Sequence, residues 1–185
     1  MPETQRVTPG VAIVGCGLIG RKRSKALGSA RLVVCADIAV ERAKSLAAEF
    51  PGAVKFSDWR EAIQHPGVDI VIVATTNDSL ADITLSAVQA GKHVLVEKPA
   101  ARLSGEVKPV IDAARQARRL VRVGFIHRYH PALRKARELF EAGAMREMMF
   151  IRGRYGHGGR SGYEKHGAQT PTSPAAEKHS IKAST

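Results

Sequence analysis

Four stretches of the 185-residue sequence carry residue types that could do chemistry together. The first is Val11-Ala-Ile-Val-Gly15-Cys16-Gly17-Leu18-Ile19-Gly20, an apolar run leading into G-x-G-x-x-G. Each glycine answers a mechanical need. Gly15 permits a tight turn, Gly17 lets a pyrophosphate approach the backbone, and Gly20 lets the following helix pack closely on the strand. The start of that helix offers free N–H groups and a positive dipole end, so Cys16, Leu18 and Ile19 join the glycines as cofactor-binding candidates. The second is Asp37, at the end of the next apolar run. A carboxylate there accepts hydrogen bonds from adenosine ribose hydroxyls and repels a 2′-phosphate, which favours NAD, with NADP as the alternative. The third is Ala74-Thr75-Thr76-Asn77-Asp78, and the fourth is His93-Val-Leu-Val96-Glu97-Lys98-Pro99. A lysine at such a strand end can donate a proton, or hold a substrate hydroxyl, beside a nicotinamide ring. Pro99 would fix the turn that aims it. The bland alternative for Lys98 is a solvated side chain.

These residues need a frame that brings them to one edge, and the pattern of the chain supplies it. Apolar, β-branched runs at Val11–Val14, Leu32–Ala36, Val54–Phe56, Ile70–Ala74, His93–Val96 and Val121–Phe125 read as strands, all but the third buried on both faces. Helical spacing lies between them. Val40, Ala43, Leu46, Ala47 and Phe50 share one face, as do Val107, Val110, Ile111 and Ala114. Gly91 reads as a helix C′ residue, and Ser57 as the cap of a short helix holding Trp59 and Ile63. Alternating β and α elements predict a Rossmann-type, doubly wound parallel sheet in the order 3-2-1-4-5-6, with helices on both faces. Polar residues at the carboxyl ends of its central strands then fall in one ligand crevice. Pro131 opens a further helix with Leu133, Ala136, Leu139 and Phe140 on one face and Gly143 ending it. Met145–Tyr155 reads as one more strand, the start of an incomplete α+β second domain with an apolar edge open to self-association. The expected division is residues 8–126 for the dinucleotide-binding domain, 127–165 for the linker helix and first strand, and 166–185 for a disordered tail with Ile181 as its one large aliphatic.

Composition narrows the classes further. Charged residues make up 25% and apolar ones 44%, which excludes a collagen-like or wholly disordered chain. No apolar run has the length of a membrane span, and Met1–Gly10 lacks a secretory h-region, so a cytoplasmic location is expected. Cys16 and Cys35 are too few for a disulfide framework or a zinc set, and no metal site is expected. The formal net charge of +12 is uneven: residues 1–100 carry +2 and residues 101–165 carry +9. That asymmetry raises a nucleic-acid reading. Against it, basic residues fall on several elements, and only Tyr129 and Tyr155 are read as exposed stacking candidates in that half. Neither nucleic acid nor membrane is expected as a partner. Arg21, Lys22 and Arg23 follow the glycine loop, where an anion contact and a solvated face are the two readings.

The stretches V-A-I-V-G-C-G-L-I-G, A-T-T-N-D-S, A-G-K-H-V-L-V-E-K-P and V-G-F-I-H-R-Y-H-P resemble the Gfo/Idh/MocA family of NAD(P)-dependent oxidoreductases over residues 11–165. The resemblance implies a catalytic role for Lys98. It implies cofactor contacts from Gly15, Gly17, Gly20, Asp37, Thr75 and Asn77, with Glu97 in the E-K-P segment and Arg128 near cofactor and substrate. It also implies hydride transfer between NAD(P) and a sugar, cyclitol or sugar derivative. A non-catalytic dinucleotide-binding or regulatory module is the alternative. Leu80, Thr76 and Ile126 depart from residues usual in the family. The family's D-x-G-x-H motif has no counterpart here, and His127, His130 and His157 match no catalytic position. The tail explains the loss. Back-translated and moved by one base, His166–Thr185 can read W-R-A-N-P-D-L-S-G-G-G-E-A-F-D-Q-G-V-H. A truncated, frame-shifted member is therefore the expectation.

Overall fold

The computed structural model describes residues 8–147 and 149–153. The chain divides into two compact units, Met1–Arg134 and Lys135–Thr185. The first holds a six-stranded sheet: β1 (Gly10–Val14), β2 (Arg31–Ala36), β3 (Val54–Phe56), β4 (Ile70–Val73), β5 (His93–Val96) and β6 (Val121–Val123). Helices α1 (Leu18–Ser24), α2 (Val40–Ala47), α3 (Trp59–Gln64), α4 (Leu80–Gln89) and α5 (Ser104–Ala117) connect them in turn. The sheet order is β3-β2-β1-β4-β5-β6 and every neighbouring pair is parallel, the Rossmann arrangement expected from the sequence. The turn from the first half of the order to the second falls between β1 and β4.

The strand period of two sorts the core into two layers. Val11 and Ile13 of β1 face one way, with Leu32, Cys35 and Ile72, against Ala43, Leu46 and Ala47 of α2. Ala12 and Val14 face the other way, with Val34, Val71, Val73, Val94 and Val96, against Ile63 of α3 and Leu80, Ile83 and Val88 of α4. Covering both faces explains the near-continuous apolar runs of β1, β2 and β4.

The structure corrects several local readings. β5 is only partly buried, and β6 has no fully buried residue, because among the described residues the sheet ends at β6 with no further strand beside it. The short α3 is capped by Asp58 rather than Ser57: the Asp58 carboxylate accepts the Arg60 amide at 2.9 Å. On α5 the inward residues are Val110, Ala113, Ala114 and Ala117, while Ile111 is 43% exposed. The helix lies on a sheet margin where small side chains allow close approach, so the longer Ile111 turns out. Gly91 ends α4 with φ +76, as expected.

In the following stretch, α6 (Pro131–Glu141) begins at Pro131 as read from the sequence, and Gly143 after it has φ +74. The strand expected over Met145–Tyr155 does not form among the described residues, which run through turns and irregular backbone to Gly153. A strand exists by pairing, and the described residues after β6 contain no other strand. Met149, Phe150 and Ile151 remain as exposed apolar surface, without the edge through which self-association was expected. Tyr155, His157 and the tail 166–185 lie outside the described residues.

The corrected α5 face is testable by urea denaturation. Val110→Ala should cost about 2 kcal/mol, from lost burial and the space left behind. Ile111→Ala, despite removing more carbon, should stay within about 0.5 kcal/mol.

Candidate functional site

The site assembles at the carboxyl ends of the strands, where backbone bonds carry the pairing one residue past the sheet. Gly15 N–H donates to Ala36 O at 2.8 Å, Ala74 N–H to Val14 O at 2.7 Å, Glu97 N–H to Val73 O at 2.9 Å, and Gly124 N–H to Val96 O at 2.8 Å. Four successive loops therefore leave the sheet at a common level.

The glycine loop is built by contact on two sides and openness on the third. Gly15 has φ +92, and a Cβ there would stand 2.5 Å from Ala74 O. A Cβ at Gly20 would stand 2.0 Å from Gly15 O, so α1 can seat against the loop only with glycine at that position. Around Gly17 nothing lies within 4 Å of where a Cβ would be. That open cradle, at the start of α1 with Leu18 and Ile19 exposed beside it, has the room and the donors that a pyrophosphate needs.

Asp37 sits at the end of β2 and is 9% exposed. Its Oδ2 accepts the Cys16 amide at 2.8 Å and its Oδ1 accepts the Ala39 amide at 2.9 Å. Cys16 is buried, and its thiol donates to Ala36 O at 3.4 Å. A hydrogen bond with Cys35 and burial together push the Cys16 thiol well above the ordinary thiol range. Both cysteines are free and buried, as the sequence suggested.

On the far side of β1, Thr75 Oγ1 accepts from Ser79 Oγ at 2.9 Å and Asn77 is exposed. The Thr76 hydroxyl holds the Asp78 carboxyl below its usual range, with help from the charge of Arg102. β5 is followed by Glu97, then by a cis Lys98–Pro99 bond and by Ala100 at φ +77, a left-handed conformation that a Cβ disfavours. Lys98 is exposed and its ammonium has no partner among the described residues. Arg128 is exposed on a 3-10 turn, Ile126–Tyr129, just past β6. His130 is structural: its Nδ1 accepts the Ala132 amide at 3.3 Å at the start of α6. No group of three or more His, Cys, Asp or Glu side chains among the described residues could hold a metal.

Two features were not read from the sequence. Arg21 and Arg23 are both engaged with carboxylates of the fold. Arg21 pairs with Glu49 and donates to Ser45 Oγ, tying α1 to the helix after β2. Arg23 Nε donates to Glu97 Oε1 at 2.6 Å, and its Nη2 contacts the same oxygen. A Cβ at Gly124 would stand 2.8 Å from the Arg23 Nη2 and 3.1 Å from Glu97 Oε1. The available signal was an acidic residue at a strand end, in need of a partner, and a glycine just past the sixth strand.

A parallel sheet of this order, with an open glycine turn after β1 and an acid after β2, defines a dinucleotide-binding α/β protein. Comparison with known proteins gives the family. The chain belongs to the oxidoreductase family with an NAD-binding Rossmann fold, Gfo/Idh/MocA, whose model matches residues 10–125. It is 32% identical over 156 residues to levoglucosan dehydrogenase of Pseudarthrobacter phenanthrenivorans, covering 78% of this chain and 40% of that one. It is 33% identical over 150 residues to inositol 2-dehydrogenase 2 of Saccharopolyspora erythraea, covering 78% of this chain and 44% of that one. The chain thus spans less than half the length of these curated relatives. Among solved structures, a levoglucosan dehydrogenase in complex with NADH and levoglucosan superposes with a TM-score of 0.71 at 31% identity, over 76% of this chain and 41% of that one. An NAD-binding oxidoreductase from Klebsiella pneumoniae gives 0.70 at 28% identity, over 76% and 40%.

The loop geometry separates two glycines by their roles. Gly20→Ala should lose about 2–3 kcal/mol in a denaturant titration, because backbone must move to admit the methyl. Gly17→Ala meets no atom and should change stability by less than about 1 kcal/mol. Both thiols should resist Ellman's reagent in the native chain and react together once it is unfolded.

Proposed function

We propose that this chain is the nucleotide-binding half of an NAD-dependent oxidoreductase acting on a sugar, cyclitol or sugar derivative. The observation that carries the reading is the open cradle at Gly17 with the Asp37 carboxylate set beside it. In this reading Gly15, Cys16, Gly17, Leu18, Ile19 and Gly20 take the pyrophosphate, and Asp37 takes the adenosine ribose. Thr75, Asn77, Glu97 and Arg128 line the other half of the crevice. When bound, the nicotinamide supplies the hydride acceptor or donor. Lys98, with a free ammonium at the strand end, holds the substrate oxygen and moves the proton there. Dehydrogenases of inositol and levoglucosan among the relatives support a polyol substrate.

The same reading covers the rest of the chain. Residues 8–126 form the cofactor domain and 127–165 the start of a substrate domain. The alternative frame of residues 166–185 supports a tail translated out of frame, and nucleotide sequence over codons 160–185 tests it. Wobble bases incompatible with D-Q-G-V-H would sink that part. No helix among the described residues is long and apolar enough to cross a membrane. The two unpaired, buried thiols support a reducing, cytoplasmic setting.

NADH fluorescence titration, with a polyol dehydrogenase assay run alongside, tests the whole. Saturable NADH binding with weaker NADPH binding is expected, and absence of any NADH binding would overturn the reading. Asp37→Asn keeps the shape of the side chain and removes the charge. It should weaken NADH binding by about tenfold and narrow the preference over NADPH. Binding without turnover would restrict this chain to the non-catalytic half of the activity.

A further inference from the structure

Helix α1 begins at the cradle for the pyrophosphate, yet one of its side chains ends on a different loop. Arg23 reaches the Glu97 carboxylate at the end of β5, a residue 74 positions away. The pair is largely withdrawn from water, with 22% and 13% of the two side chains exposed, and β6 closes over it through Gly124. Three elements therefore meet at one charged contact: the phosphate-side helix, the lysine turn and the strand after it. A contact of this burial differs from the exposed pairs elsewhere on the molecule, because loss of one partner leaves a poorly solvated charge.

What the contact holds is also plain. Glu97 is anchored by its amide on Val73 O and by its carbonyl, which accepts the Ala100 amide at 3.0 Å. Its side chain is anchored by Arg23. The turn between these anchors contains Ala100 in a left-handed conformation, so it does not keep its shape by local preference alone. Lys98, inside the turn, is left with a free ammonium and a fixed base. Only Oε1 of Glu97 takes the guanidinium, and Oε2 has no partner among the described residues.

We infer that Arg23 is a positioning residue for the lysine turn: through Glu97 and against Gly124 it couples the helix of the phosphate loop to the nicotinamide side of the crevice. The inference rests on the dinucleotide reading of the site. Since Asp37 and the glycine loop sit on the β2–β1 side, the adenosine half of a dinucleotide lies there. The nicotinamide half must then lie toward β4 and β5, where Lys98 is.

The test uses the full chain and two probes, NADH and ADP-ribose, which keeps the pyrophosphate and both riboses but lacks the nicotinamide ring. Arg23→Met should weaken NADH by about tenfold, the scale of one lost charge-assisted hydrogen bond, and leave ADP-ribose within about twofold. Arg23→Lys should recover part of the loss. Gly124→Ala presses on the same pair from β6 without removing a charge, and it should give the same NADH-selective loss even where Arg23→Met fails to fold. Equal weakening of both probes would assign Arg23 to the general integrity of α1 and overturn the inference. Unchanged NADH binding in both Arg23→Met and Gly124→Ala would overturn it as well. Wild-type chain that binds neither probe would instead overturn the dinucleotide reading itself, and the inference with it.

Discussion

The glycine loop keeps its shape because a carboxylate from the neighbouring strand stands on its inner side. Gly15 turns the chain sharply, which takes the Cys16 amide out of the sheet's ladder and into a buried position. An unmet N–H there would cost about 1–3 kcal/mol. Asp37 meets it with one oxygen and holds the start of the next loop, at Ala39, with the other. One side chain thus defines the ends of two adjacent strands at once, before any ligand arrives. The arrangement also explains why the acid must follow β2, the strand that pairs with β1 and, past a register shift between Val11 and Ala12, brings Ala36 level with Val14.

Much of this was legible in the sequence because it is written in periodicities and glycines. Six apolar runs and the intervening helical spacing were enough for the parallel sheet and its order. G-x-G-x-x-G placed the turn, and Gly20 had no alternative once α1 was known to lean on Gly15 O. Where the reading failed, the deciding quantity was tertiary. The cap moved from Ser57 to Asp58 because both can cap and only the backbone geometry chooses. Ile111 turned outward because α5 lies at the sheet's margin, a fact no helical wheel contains. Arg23 could not be matched with Glu97, since charge pairing across 74 residues leaves no local trace. The strand read at Met145–Tyr155 does not form among its described residues, since strand formation depends on a partner that a local pattern does not supply.

Some of the basic side chains are paired within the fold, Arg21 with Glu49, Arg23 with Glu97, and on α6 Lys135 with Glu138 and Arg137 with Glu141, although each pair is neutral and leaves the net charge of +12 as it was. The α6 pairs sit at helical i, i+3 and i, i+4 spacings on exposed side chains, where each contributes a few tenths of a kcal/mol. The buried pair at Glu97 differs in kind from these. Its value lies in the geometry that it imposes rather than in net stability, since desolvation offsets most of the attraction.

Gly124 carries an evolutionary consequence. Its missing side chain is the space in which a guanidinium and a carboxylate from two other elements meet. A lineage that first acquires a side chain at 124 displaces the pair, whereas one that first shortens residue 23 frees position 124 to vary. The order of substitution therefore matters, and the three positions should drift as a linked set rather than as independent sites.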